Sequence, residues 1–245
     1  MIFSIIGNDA RQERLTRLLL RDGHTVHTVP DPRSDCVVWG IPTPANAEEL
    51  LRGGQLAVGG RVPAGLGIID YVKREDFAIA NAVPSAEGAV QLAMERSERT
   101  IHGAAALVVG FGRIGKVLAR LLAALGARVT VSARKTEDFK WCEALGYGTL
   151  DTCALGGTLG AFDMVFNTVP RMVLTDALLS ELREGALVMD LASAPGGVDF
   201  AAAKSRGVNC HWALGLPAKV APETAATILR DTIYAIIAEE RPERS

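Results

Sequence analysis

Gly110, Gly112 and Gly115 stand in the order G-x-G-x-x-G, between an apolar run (Leu107–Val109) and an amphipathic stripe of Ile114, Val117, Leu118, Leu121, Leu122 and Leu125. A strand, a glycine turn and a helix in that order suit the pyrophosphate of a dinucleotide. The first N–H groups of the helix point at the anion, and the helix dipole favours it. Gly110 permits the tight turn, Gly112 lets the backbone approach the phosphates, and Gly115 lets the helix pack closely on the strand. Gly110, Phe111, Gly112, Arg113, Ile114 and Gly115 are therefore candidate cofactor contacts. The competing reading is a glycine-rich turn that only shapes the fold.

The end of the following strand, Arg128–Ser132, decides which dinucleotide fits. An acidic residue there would accept hydrogen bonds from the adenosine ribose of NAD and repel a 2′-phosphate. The chain instead has Ser132, Ala133, Arg134 and Lys135. Arg134 and Lys135 can pair with a 2′-phosphate, and Ser132 can donate to it. NADP is expected, with NAD as the other possibility and a solvated basic loop as the bland one. Later strand ends should line the same pocket: Asn167, Thr168, Val169 and Pro170 after one strand, Ala192 and Ser193 after the next, Leu216 and Pro217 after the last.

These residues must be carried by an alternating β-α-β chain. Ile2–Gly7 reads as a strand, residues 9–21 as a helix, and Thr25–Val29 and Cys36–Trp39 as further strands. Gln55–Val58 and Phe77–Ala80 are weaker strand candidates. Ser85 reads as the N-cap of a helix running to about Thr100, with Glu87 in its first turn. Strand candidates follow at Asp163–Thr168, Leu187–Leu191 and Val208–Trp212, and a last helix at Glu223–Glu239. The fold class is α/β: a Rossmann-type doubly wound parallel sheet plus a smaller N-terminal α/β domain, linked by two long helices. The expected division is 1–84, with a C-terminal helix at 220–240 packing back near the crossing helix, and 85–219 for the dinucleotide domain. Two connecting helices would leave a cleft for a ligand.

Composition narrows the class. Among the 245 residues, 49% are apolar and 22% charged, and the formal net charge is −2. That balance gives no electrostatic footprint for nucleic acid or an anionic membrane. No apolar run reaches the roughly 18 residues of a membrane span, and the N-terminus lacks the pattern of a secretion signal. Cys36, Cys142, Cys153 and Cys210 are scattered, which suits reduced thiols in a cytoplasmic protein. The four histidines show no metal-ligand spacing, so no metal is expected. Alanine-rich connecting helices suit a homo-oligomer.

Further segments carry a resemblance. Asp190–Phe200 (DLASAPGGVDF), Asn81–Ala89 (NAVPSAEGA), Thr100–Gly103 (TIHG), Gly7–Gln12 (GNDARQ) and Gly215–Ala225 (GLPAKVAPETA) together resemble the family of dipicolinate synthase A subunits. The similarity covers nearly all of the chain from about residue 70 onward. Ala218 and Ala226 stand where that family has Gly, Glu223 where it has Lys, and the segment before Tyr71 is shorter. The resemblance implies NADP-linked oxidation, with loss of water, of 4-hydroxy-tetrahydrodipicolinate to pyridine-2,6-dicarboxylate. It also implies a flavoprotein-like partner, the B subunit, in a spore-forming bacterium. The alternatives are another two-domain dehydrogenase, of the hydroxyacid or methylene-tetrahydrofolate kind, and a non-catalytic NADP-binding partner.

A small dicarboxylate substrate needs cations or N–H donors, a base for a ring proton and an acid for the leaving hydroxide. Arg11 is the candidate carboxylate clamp, against a solvated helix arginine. Asn81 and Ser85 are the other candidate substrate contacts. Glu87, Ser193 and Lys219 are the candidate catalytic residues. Their bland readings are a helix-dipole partner, a turn hydrogen bond and a surface lysine.

Overall fold

The structure, a computed structural model, describes residues 1–241. Its first sheet is built where short apolar runs alternate with turns: β1 (Ile2–Ile6), β2 (Thr25–His27), β3 (Cys36–Trp39), β4 (Leu56–Gly59) and β5 (Ile69–Asp70). All five are parallel, in the order β2-β1-β3-β4-β5, with Phe3 opposite Cys36 and Ile5 opposite Val38. Between β1 and β2 runs α1 (Ala10–Arg21). Asp9 caps it by accepting from the Gln12 N–H at 2.9 Å.

The strand expected at Phe77–Ala80 and the helix start expected at Ser85 are both corrected. One helix, α2 (Glu75–Arg96), runs through both segments with Pro84 inside it. An internal proline costs a helix about 3 kcal/mol or more in lost hydrogen bonding and steric clash. Packing outweighs that here, because Phe77 is buried in one core and Ala86, Ala89 and Ala93 are buried in another. Ser85 is therefore mid-helix, and the helix dipole offers Glu87 nothing.

The second sheet carries the dinucleotide turn. Its elements are β6 (Ala105–Val109), α3 (Arg113–Ala124), β7 (Arg128–Ala133), α4 (Thr136–Ala144), β8 (Gly148–Asp151), β9 (Met164–Asn167), α5 (Asp176–Leu179), β10 (Leu187–Asp190), α6 (Phe200–Ser205) and β11 (Asn209–Trp212). The strands are parallel in the order β11-β10-β9-β6-β7-β8, the doubly wound arrangement. Period-2 alternation sends Leu107, Val109, Val165 and Val188 to one face and Ala106, Val108, Phe166 and Met189 to the other. Strand β8 is absent from the sequence-based expectation because its four residues, GTLD, are half-exposed and lack an apolar run.

The chain closes with α7 (Leu216–Val220) and α8 (Pro222–Glu240). It divides into two compact units, Met1–Pro84 with the chain from Pro217, and Ser85–Leu216. Helix α8 packs chiefly on α1, and Leu229, Ile233, Ile236 and Ile237 join Phe3, Ile5, Leu15 and Leu19 in one core. Each such buried side chain contributes about 1.5–3 kcal/mol relative to leaving it exposed. Glu223, one of the residues that depart from the resembled pattern, lies 3.7 Å from Arg14 and 3.8 Å from Arg21 of α1. No helix among the described residues is long and apolar enough to cross a membrane.

Candidate dinucleotide site at the carboxyl edge of the second sheet

The glycine turn has the shape that an anion requires. Gly110 sits at φ +96, and a Cβ there would meet Thr168 Oγ1 at 2.6 Å and Val169 Cγ2 at 2.9 Å. A Cβ on Gly115 would overlap the Gly110 carbonyl oxygen. At Gly112 a Cβ would meet nothing within 4 Å, so the space in front of the helix is open. Gly112 caps α3 with no side-chain hydrogen bond, and the first turn holds no acidic residue. The leading N–H groups of α3 thus face open space without a carboxylate to compete, which fits a pyrophosphate. Phe111 is buried, Ile114 is partly buried, and Arg113 is exposed at the start of α3.

Strand β7 brings the basic pair to the same edge. The Gly110 N–H donates to the Ser132 carbonyl at 2.9 Å, so the glycine turn and the end of β7 are tied directly. Ser132 is fully buried, and its hydroxyl accepts from Thr152 at 3.2 Å. Arg134 and Lys135, just beyond it in the chain, are exposed. Lys135 Nζ is 3.7 Å from Glu137, whereas Arg134 makes no ion pair among the described residues.

On the other side of the turn, Thr168 donates its hydroxyl to the Val109 carbonyl at 2.9 Å. Thr168 and Val169 are half-buried, Pro170 is exposed, and Asn167 is fully buried. Asn167 turns inward: its Nδ2 donates to Asp190 Oδ1 at 2.8 Å and to the Val169 carbonyl at 3.0 Å. The loop after β10 follows, with Ala192 buried and Ser193 exposed at its tip. Asp190 is a residue that sequence reasoning did not single out. A carboxylate ending an apolar strand just before a glycine-rich loop is the signal for it.

The remaining candidates fall as follows. Leu216 is buried in the second unit, while Pro217 and Lys219 belong to the first, Lys219 being exposed in the last turn of α7. Asn81 and Ser85 lie one turn apart on α2, Asn81 half-buried and Ser85 buried. Glu87, two residues beyond Ser85, is turned to another side of the helix and is exposed. Arg11 is in the first turn of α1, only 7% of its side chain exposed, with Nη2 3.3 Å from Asp9. Its buried Nε has no partner. Arg11 follows β1, where the strand order β2-β1-β3 reverses direction, the place where open parallel sheets take ligands. Burial pushes the nearby Tyr71 phenol well above its ordinary pKa, with the Arg11 charge opposing, and its hydroxyl donates to the Trp39 carbonyl at 3.1 Å.

Residues 77–195 match the D-isomer specific 2-hydroxyacid dehydrogenase, NAD binding domain. The A subunit of dipicolinate synthase from Bacillus subtilis (strain 168) is 38% identical over 176 residues, which is 72% of this chain and 59% of that protein. The chain therefore matches less than two thirds of that relative's length. The crystal structure of the dipicolinate synthase A subunit from Bacillus halodurans superposes with a TM-score of 0.86 at 29% identity, covering 97% of this chain and 98% of that one. The corresponding crystal structure of dipicolinate synthase from Bacillus subtilis superposes with the same TM-score of 0.86 at 28% identity, over 99% and 97%.

Proposed function

Because the chain belongs to the family of dipicolinate synthase A subunits, we propose that it oxidises 4-hydroxy-tetrahydrodipicolinate to pyridine-2,6-dicarboxylate with loss of water, using NADP. The observation that carries this reading is the pairing of an open glycine turn with an exposed Arg134, free of ion pairs among the described residues, at the end of β7. A nicotinamide dinucleotide, when bound, supplies the hydride acceptor, and the chain's residues do the rest.

Gly110, Gly112 and the first N–H groups of α3 hold the pyrophosphate. Arg134 and Lys135 pair with the 2′-phosphate. Thr168, Val169, Pro170, Ala192 and Ser193 line the other half of the edge, with Ser193 as its exposed hydroxyl donor. Arg11 grips a substrate carboxylate through its guanidinium, which its burial keeps in one geometry. Lys219 is the second cation, and Asn81 and Ser85 are polar contacts on α2. The net balance is loss of one water and of two hydrogens, one as hydride to the dinucleotide and one as a proton to solvent.

The reading extends to a flavoprotein-like partner, the B subunit, to sporulation in the cytoplasm, and to a homo-oligomer, supported by exposed Ile79, Val83 and Met94 on α2. The test is turnover of the hydroxylated tetrahydrodipicolinate by the purified chain with its B subunit, followed at the nicotinamide absorbance and by the appearance of the pyridine product. Absence of turnover with both subunits present overturns the reaction, and reduction of NAD in preference to NADP overturns the cofactor choice. The family match over residues 77–195 favours a hydroxyacid dehydrogenase as the second reading, which a panel of 2-hydroxy acids in the same assay separates.

A further inference from the structure

We propose that Asp190 is a positioning residue that locks the loops after β9 and β10 into one shelf for the nicotinamide half of the cofactor. The inference rests on nicotinamide dinucleotide binding, and on neither the substrate nor the 2′-phosphate proposed above.

Asp190 ends β10 and is fully buried, yet among the described residues it makes no ion pair. A buried carboxylate is costly unless N–H donors satisfy it. Three do so, from two different loops. Oδ1 accepts from Asn167 Nδ2 at 2.8 Å and from the Ala192 N–H at 3.0 Å. Oδ2 accepts from the Gly197 N–H at 2.7 Å. Asn167 then grips its own loop in both senses, donating to the Val169 carbonyl at 3.0 Å and accepting from the Val169 N–H at 3.1 Å. A third tie comes from β11, where Trp212 Nε1 donates to the Ala192 carbonyl at 2.9 Å while its ring stacks on Phe200. Gly197 packs so tightly against this network that a Cβ would come within 2.6 Å of the Val169 carbonyl oxygen and 2.8 Å of that of Arg171.

One buried side chain therefore joins the ends of β9 and β10. The product is a rigid support with Ser193, Ala194 and Pro195 exposed on its tip. The sheet order puts β9 and β10 on the opposite side of the glycine turn from β7. In a doubly wound sheet the adenine half of a dinucleotide lies toward the β7 side and the nicotinamide half toward the β9 side. The shelf thus meets only the nicotinamide half, and its rigidity removes the ordering cost that binding would otherwise carry.

The test uses Asp190→Asn, which keeps the volume but turns an N–H donor toward one of the three N–H groups. Trp212→Phe is the second variant, removing one N–H while keeping the stack on Phe200, and it serves if Asp190→Asn does not fold. The first readout is amide exchange without any ligand. Ala192 and Gly197 are expected to exchange about 10-fold faster or more in the folded variant, with Val108 and Val131 in β6 and β7 unchanged. The second is binding: the Kd for the reduced dinucleotide rises about 10-fold or more, which is about 1.4 kcal/mol. The Kd for the matching adenine mononucleotide, 2′,5′-ADP or AMP, stays within about twofold of wild type, because that ligand does not reach the shelf. Unchanged exchange at Ala192 and Gly197 overturns the proposal. So does equal weakening of dinucleotide and mononucleotide, which is what a merely structural role predicts. Neither readout involves the substrate, so failure of the proposed reaction leaves both intact.

Discussion

The carbonyl oxygen of Gly110 lies against the Cα of Gly115 so closely that a Cβ at residue 115 would overlap it. Three residues away, a Cβ at Gly112 would enter open space. The fold thus requires a glycine at 115, whereas no protein atom constrains residue 112. Gly115→Ala is expected to lower stability by about 1–3 kcal/mol, the usual cost of overpacking. Gly112→Ala is expected to leave the melting temperature within a degree or two of wild type, since its φ of −78 suits any residue. It should raise the dinucleotide Kd about 10-fold or more by displacing the phosphate. Thermal melts and fluorescence titration of both variants check this, and a Gly112→Ala variant that binds normally would count against the anion site.

Arg134 supplies a cleaner test of cofactor choice than Lys135, which already has Glu137 for a partner at 3.7 Å. A charge-assisted hydrogen bond to phosphate contributes about 1.5–3 kcal/mol, so Arg134→Ala should weaken NADPH binding about 10- to 100-fold. NADH affinity should not change, because NADH has no phosphate at that position. Equal effects on the two cofactors would place Arg134 elsewhere than at the 2′-phosphate.

For Arg11 the contrast of interest is between Lys and Ala. Lysine keeps the charge and loses the planar fork. If Arg11 grips a carboxylate bidentately, both variants should raise KM for the dicarboxylate about 10-fold or more, with the dinucleotide Kd unchanged. Asp9 is 39% exposed, so water can replace the lost partner and the variants should still fold. Steady-state kinetics with parallel cofactor titration decide the matter; a wild-type KM in Arg11→Ala would refute the assignment.

Stability in acid should depend on Asp163. Burial pushes its carboxyl up, but the Ala105 N–H at 2.8 Å, Arg183, and Arg99 at 3.7 Å together outweigh burial and hold its pKa below the ordinary 3.8. A folded-state pKa below the unfolded one gives stability that is present above the unfolded value and lost as pH falls through the folded value. Denaturant unfolding should therefore show wild type losing stability as pH drops below about 4, while Asp163→Asn is less stable at neutral pH and loses less on acidification. Parallel curves for the two proteins over that range would contradict the linkage.

Much of the second unit is legible in the sequence because its signals are local. The run Leu107–Val109, the three glycines and the stripe from Ile114 to Leu125 lie within one β-α-β segment, and the structure places β6, α3 and β7 on them. Strand Cys36–Trp39 matches to the residue, since a short apolar run bounded by Gly40 and Pro42 has few other uses. Helix α2 departs from expectation because Pro84-Ser85 imitates a helix start. Its continuity comes from Phe77 and from Ala86, Ala89 and Ala93, whose burial in two separate cores no local pattern reveals. Asp190 escapes for a related reason: its partners Asn167 and Gly197 stand 23 residues before it and seven after.

The class of fold, the dinucleotide turn and the basic end of β7 follow from the order of residues alone, because periodicity and turn chemistry act between neighbours along the chain. Which of those residues face open space, and which are used up in holding the edge, depends on the folded arrangement of the strands. It left Gly112, Arg134 and Ser193 at the surface of the edge and turned Ser132 and Asn167 inward. Parallel strands set side by side residues far apart in the chain, and a buried polar group must find its partners there rather than in water.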